Sequence, residues 1–129
     1  MIDVRDPAIV WWWLGLGGCG LLLALALYPD TPGPSLAYGD KLGHLAAFAV
    51  LGAWFGALRR GAFLGVGLAL PAYGGLIEVL QSLTPSRRPE WADLMANLVG
   101  IVIGILLFSA GLRRVMLRIE RGLGDRIRR

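Results

Sequence analysis

The sequence predicts an all-α membrane protein: a four-transmembrane-helix bundle with both termini cytoplasmic and a short amphipathic C-terminal helix. Three observations carry this expectation. The 129 residues are 56% hydrophobic, with a mean hydropathy of +0.62, whereas a soluble domain is about 45–50% apolar. Residues 7–29, 42–58, 61–77 and 94–112 contain no Asp, Glu, Lys or Arg, and each block approaches the roughly 17–25 residues that cross a hydrocarbon core. Ten of the thirteen Lys and Arg residues lie in segments that four spans bring to one side: Arg5, Arg59, Arg60 and the seven arginines of "RRVMLRIERGLGDRIRR". Lys41, Arg87 and Arg88 fall on the other side, so the positive-inside bias puts both termini in the cytoplasm. A soluble four-helix protein would carry a polar stripe along each helix, and these blocks mostly lack one.

The spans are expected near 8–28, 41–58, 62–82 and 92–112. The first, "IVWWWLGLGGCGLLLALAL", is too long for a signal-peptide core and follows "MIDVRDP", which is not a basic leader. Cys19 stands alone in mid-span and is read as a small packing residue. The loop "YPDTPGPSLAYG" holds three prolines and cannot be regular helix. "RRG" is a tight inner turn. Pro71, with Gly74 and Gly75, is expected to kink the third span. "GAWFG" at 52–56 and "GIVIG" at 100–104 have the small-xxx-small form that lets membrane helices approach closely. Residues 1–112 thus form one transmembrane domain, followed by a basic cytoplasmic tail, 113–129. In that tail Val115, Met116, Ile119 and Leu123 are spaced to lie on the inner membrane surface. A nucleic-acid partner suits a basic tail too, but directly after a span we assign anionic lipid instead.

Four polar clusters remain, and the alternation of spans brings all of them to the outer end of the bundle. Asp40, Lys41 and His44 open the second span. Glu78 and Gln81 close the third. Arg87 and Arg88 lie in the loop that follows. Asp93 and Asn97 open the fourth. Asp40 and His44, four apart, share a helix face that continues to Phe48; Asp93, Asn97, Gly100 and Gly104 share another. Ionisable residues within spans are site candidates, usually paired. The natural partners are His44 or Arg87 for Glu78, and Lys41 or Arg87 for Asp93. Plainer roles exist. Asp40 and Asp93 suit helix N-termini as caps, His44 suits an interhelical hydrogen bond, and Arg88 and Glu90 suit solvent. Clustering at one end argues against plain roles for all of them.

At these residues the chain resembles the VanZ-like family of small bacterial integral membrane proteins. The likeness spans about residues 36–108 and rests on "DKLGHLAAF", "IEVLQ" and "PSRRPEWADLMANLVGIVIG". The matched positions are Asp40, Lys41, His44 and Phe48; Glu78 and Gln81; Pro85 and Arg87; and Asp93, Asn97 and Gly100. Ser86 departs from the family pattern, which usually has Gly between Pro and Arg. The resemblance implies a four-helix bundle of the bacterial cell envelope, in the cytoplasmic membrane. The family's namesake is associated with resistance to teicoplanin, a lipid-tailed glycopeptide antibiotic.

We expect a non-enzymatic envelope protein with an outward-facing polar pocket formed by Asp40, Lys41, His44, Glu78, Gln81, Arg87, Asp93 and Asn97. It would take a lipid headgroup, a lipid-linked cell-wall precursor or a lipoglycopeptide, with Arg87 and Lys41 on phosphate or carboxylate. The alternative is an intramembrane enzyme in which His44, Glu78 and Asp93 supply acid and base. Against it, Ser82 and Ser86 stand in no nucleophile context. Asp40, His44, Glu78 and Asp93 could also make a mixed Zn²⁺ or Mn²⁺ set, but from the sequence we assign no metal and no cofactor. An accessory or scaffold subunit is a third alternative. A proton-linked carrier is disfavoured because the polar residues stop at one end. The expected partners are membrane lipids, anionic lipids at the tail, and a second copy of the chain as a homo-oligomer.

Overall fold

The computed structural model describes residues 7–28, 39–58, 63–85, 88 and 90–127. Helix α1 is Pro7–Leu27, α2 is Gly39–Leu58 and α3 is Phe63–Ser82. Their 20 or 21 residues, at about 1.5 Å each, match a hydrocarbon core about 30 Å thick. The fourth helical stretch is α4, Trp91–Ile103, then a π-helical turn, Gly104–Phe108, then α5, Ser109–Ile127. Four helical stretches are long and apolar enough to cross a membrane, as the charge-free blocks predict.

The tail differs from expectation. A fourth span ending at 112 and a separate short helix are replaced by one unbroken stretch, because no proline or capping motif interrupts the chain after Leu112. The tail is also tied back to the bundle. Arg113 Nη1 donates to the Ala57 carbonyl at 2.9 Å, and Trp11 Nε1 donates to Glu120 Oε1 at 2.9 Å. Met116 is buried, while Val115, Ile119 and Leu123 remain about half exposed.

Helix α2 is the centre of the bundle. It buries His44, Phe48, Leu51, Gly52, Ala53, Phe55, Gly56 and Ala57. Phe48, Leu51 and Phe55 form the core with Val66, Leu70, Ile77 and Ile101. Helix α1 is peripheral: its Trp12, Cys19, Leu22 and Leu23 pack on that core while Trp13, Leu21 and Leu25 are exposed. The expected packing role of Cys19 holds, and its carbonyl also accepts from the Tyr73 hydroxyl. Helix α3 runs through Pro71 without ending.

The tightest contact joins α2 to the fourth stretch, backbone on backbone. A Cβ at Gly52 would stand 2.7 Å from the Ile101 carbonyl oxygen. A Cβ at Gly100 would collide with the Leu45 carbonyl, and one at Gly104 with the Ala49 carbonyl. In lipid there is no hydrophobic drive between helices, so such close packing supplies their association.

Gly104→Val should therefore lower the stability of the detergent-solubilised protein by about 1–3 kcal/mol or more, read as the midpoint of an SDS unfolding titration. Gly111 has nothing within 4 Å of its would-be Cβ, so Gly111→Ala should leave that midpoint unchanged or raised.

Candidate functional site

The up-and-down order brings the ends of α1 and α3 and the beginnings of α2 and α4 together. Gln81 Nε2 donates to the Ala26 carbonyl at 2.9 Å, joining α3 to α1. His44 Nδ1 lies 3.0 Å from Asn97 Oδ1, joining α2 to α4. Lys41 Nζ donates to Glu90 Oε2 at 2.6 Å across the rim. The residues that the sequence places at one end thus meet there, apart from Arg87, which lies outside the described residues, as does Ser86. Arg88 is exposed, as expected.

Burial divides the cluster. His44, Glu78, Gln81, Asp93 and Asn97 are each at most 8% exposed, which is rare for carboxylates. Asp40 is exposed in the first turn of α2, where its charge meets the positive helix end. Asp93 is the third residue of α4. The N-cap is Glu90, whose own side chain makes no cap bond, and Asp93 stands in the first turn, where a carboxylate meets the positive helix end as expected. Its Oδ1 lies 3.7 Å from Lys41 Nζ, within ion-pair range but beyond a hydrogen bond. The expected Lys41–Asp93 pairing is therefore present in loose form.

The His44–Asn97 contact has a chemical consequence. Asn97 occupies Nδ1 of the ring, so Nε2 is the nitrogen that remains for a further partner. Asn97 has room because Gly74 lies against it: a Cβ there would stand 2.9 Å from Asn97 Nδ2 and 3.3 Å from Phe48 Cζ. Phe48 and Ile77, both at 0% exposure, form the apolar layer beneath.

Three buried polar atoms have no hydrogen-bond partner among the described residues: Glu78 Oε1, Asp93 Oδ1 and Asn97 Nδ2. Asp93, His44 and Asp40 all act electrostatically on the Glu78 carboxylate. Among the described residues, the carboxylates of Asp40, Glu78, Glu90 and Asp93 gather here in one cluster with the Lys41 ammonium. Away from it, a groove of about 550 Å³ between α1 and α3 is lined by Trp12, Leu16, Phe55, Val66, Leu70 and Tyr73 and is almost wholly apolar.

Sequence reasoning gave Glu90 to solvent. The residue is indeed exposed, yet it is the partner of Lys41. Only the position of Lys41 one turn before His44, opposite the start of α4, could have signalled this. The contacts of Trp11 and Arg113 at the far end carry no motif and were not foreseen.

The family model described as VanZ/LLP1 matches residues 9–114. That range reaches all four helical stretches, α1 included, and ends early in α5. No curated protein and no solved structure matches the chain.

Asn97→Ala removes the acceptor of a buried imidazole and should destabilise the protein by about 1–3 kcal/mol. Glu90→Gln weakens an ion pair whose side chains are 31% and 55% exposed and should change stability by less than about 1 kcal/mol. SDS unfolding titrations of both variants beside wild type check the contrast.

Proposed function

The chain belongs to the VanZ/LLP1 family, and on that premise we propose that its polar end binds the head of a membrane-embedded ligand at the outer face of the bacterial cytoplasmic membrane. The ligand is a lipid headgroup, a lipid-linked cell-wall precursor or a lipoglycopeptide, of which teicoplanin is one example. Both termini lie inside, and the tail arginines meet anionic lipid.

The observation that supports this reading best is the set of buried atoms without partners. A buried polar group left unsatisfied costs about 1–3 kcal/mol. Glu78 Oε1 and Asp93 Oδ1 are acceptors, and Asn97 Nδ2 is a donor. Sugar hydroxyls and amide N–H groups suit the two acceptors, and a carbonyl or phosphate oxygen suits the donor. The apolar layer of Phe48 and Ile77 beneath them stops the polar path, which supports a binding site over a channel. The apolar groove between α1 and α3 offers a surface of the kind an acyl chain prefers.

Lipid mass spectrometry of the purified protein tests the proposal. Wild type should retain a glycosylated or phosphorylated lipid that Arg87→Ala and Glu78→Gln lose or hold several-fold less of. A lipid that accumulates only in Glu78→Gln would replace binding by turnover. No specific lipid in any sample would leave a scaffold role.

The orientation has its own check. In a Cys19→Ala background, Ala37→Cys and Ser86→Cys should react with an impermeant maleimide in intact spheroplasts. Silence at both positions would invert the topology.

A further inference from the structure

We propose that Asp40, His44 and Asp93 form a divalent-cation site of the Zn²⁺ or Mn²⁺ class at the polar end of the bundle. One ligand atom from each of these residues lies within 4.8 Å of the others. One imidazole nitrogen with two carboxylate oxygens is a donor set that both ions accept. Oxygen and nitrogen ligands about 2.0–2.2 Å from Zn²⁺ stand about 3.3–3.6 Å apart in a tetrahedron. Ligand atoms already within 4.8 Å of one another need only small side-chain adjustments to reach that separation.

Two further features separate this cluster from an ordinary group of surface acids. The first is His44. Its Nδ1 is engaged by Asn97 Oδ1 at 3.0 Å, which makes Nε2 the nitrogen available to a metal. A ligating histidine held through its other nitrogen by an oxygen acceptor is the usual outer-shell arrangement at metal centres. The second is Asp93. It is 5% exposed, and its Oδ1 has no hydrogen-bond partner among the described residues. Glu78, equally buried, presents Oε1 without a hydrogen-bond partner among the described residues and has Asp93, His44 and Asp40 as electrostatic neighbours. It stands as a reserve ligand or as acceptor for a bound water.

The charge balance points the same way. Lys41 is the ammonium nearest the triad, but its 2.6 Å contact is with Glu90 and its distance to Asp93 is 3.7 Å. Among the described residues it pairs closely at the rim and only loosely with the buried Asp93 carboxylate. A cation bound by the triad faces that carboxylate and gives the pocket affinity for a phosphate-bearing headgroup, as bound ions commonly do. The proposal rests on this end being a ligand site, yet metal binding is read without any lipid, so the two ideas fail separately.

The test is isothermal titration of Zn²⁺ into the full chain in detergent, delipidated and without a polyhistidine tag, since His44 is the only histidine. Mn²⁺ serves as competitor. Wild type should bind one Zn²⁺ per chain saturably. Asp40→Asn, which alters an exposed side chain and leaves the core intact, should bind at least tenfold more weakly, and Asp93→Asn weaker still. Lys41→Ala removes the competing ammonium and should bind Zn²⁺ as tightly as wild type or more so, an outcome that a merely structural role for the cluster does not produce. Absence of one-to-one binding by wild type overturns the proposal. So does unchanged affinity in Asp40→Asn, or weaker binding in Lys41→Ala.

Discussion

The polar end depends on how closely α2 approaches the fourth helical stretch. Gly52 meets Ile101, Gly100 meets Leu45 and Gly104 meets Ala49, in each case with backbone against backbone. At that separation His44 reaches Asn97 across the helix pair, and Lys41 reaches Glu90 and Asp93. A larger residue at any of the three glycines would part the helices and so lengthen every one of these contacts. The glycines and the polar residues are therefore one device. The first group sets the distance, and the second uses it.

The device stabilises the bundle less than its polar content suggests. The Lys41–Glu90 pair is half exposed and contributes little. The buried members leave three atoms without hydrogen bonds among the described residues, which subtracts from stability. What holds the end together is packing beneath it, on Phe48, Ile77 and Gly74, together with the Gln81 bond to the end of α1. Buried polar atoms that converge on one spot without partners among the described residues are the feature on which the proposed ligand site rests.

Much of this was legible in the sequence. The four spans follow from charge-free blocks because composition over about 20 residues is a signal that tertiary packing does not alter. The polar face was legible because Asp40 and His44, and Asp93 and Asn97, repeat at four, which a helix turns into shared faces. The convergence of α2, α3 and α4 followed from alternation alone. Glu90 was missed because its partner lies 49 positions away and no local pattern joins them. The orphaned atoms were out of reach too, since the lack of a partner depends on side-chain geometry and not on residue type. Arg87, prominent in the sequence, lies outside the described residues.

The joined tail has a further cause that periodicity conceals. Along the fourth stretch the buried positions run Asp93, Asn97, Gly100, Ile101 and Gly104 and then pass over Phe108, which is 57% exposed, to Ser109 at 7%. A regular helix with about 3.6 residues per turn would have carried the buried face from 104 to 108. The π-helical turn at Gly104–Phe108 takes in one extra residue, and each residue is worth about 100° of rotation. Everything after it is turned by that amount. Ser109 then faces Gly56, whose Cβ would lie 3.1 Å from the Ser109 Cβ, Arg113 reaches the Ala57 carbonyl and Met116 is buried. Without the wide turn Phe108 would be driven against Gly56 and the arginine would point away from α2. The same glycine that closes the middle of the helix pair thus begins the turn that keeps its far end in register. The polar end and the basic tail are set by one continuous interface.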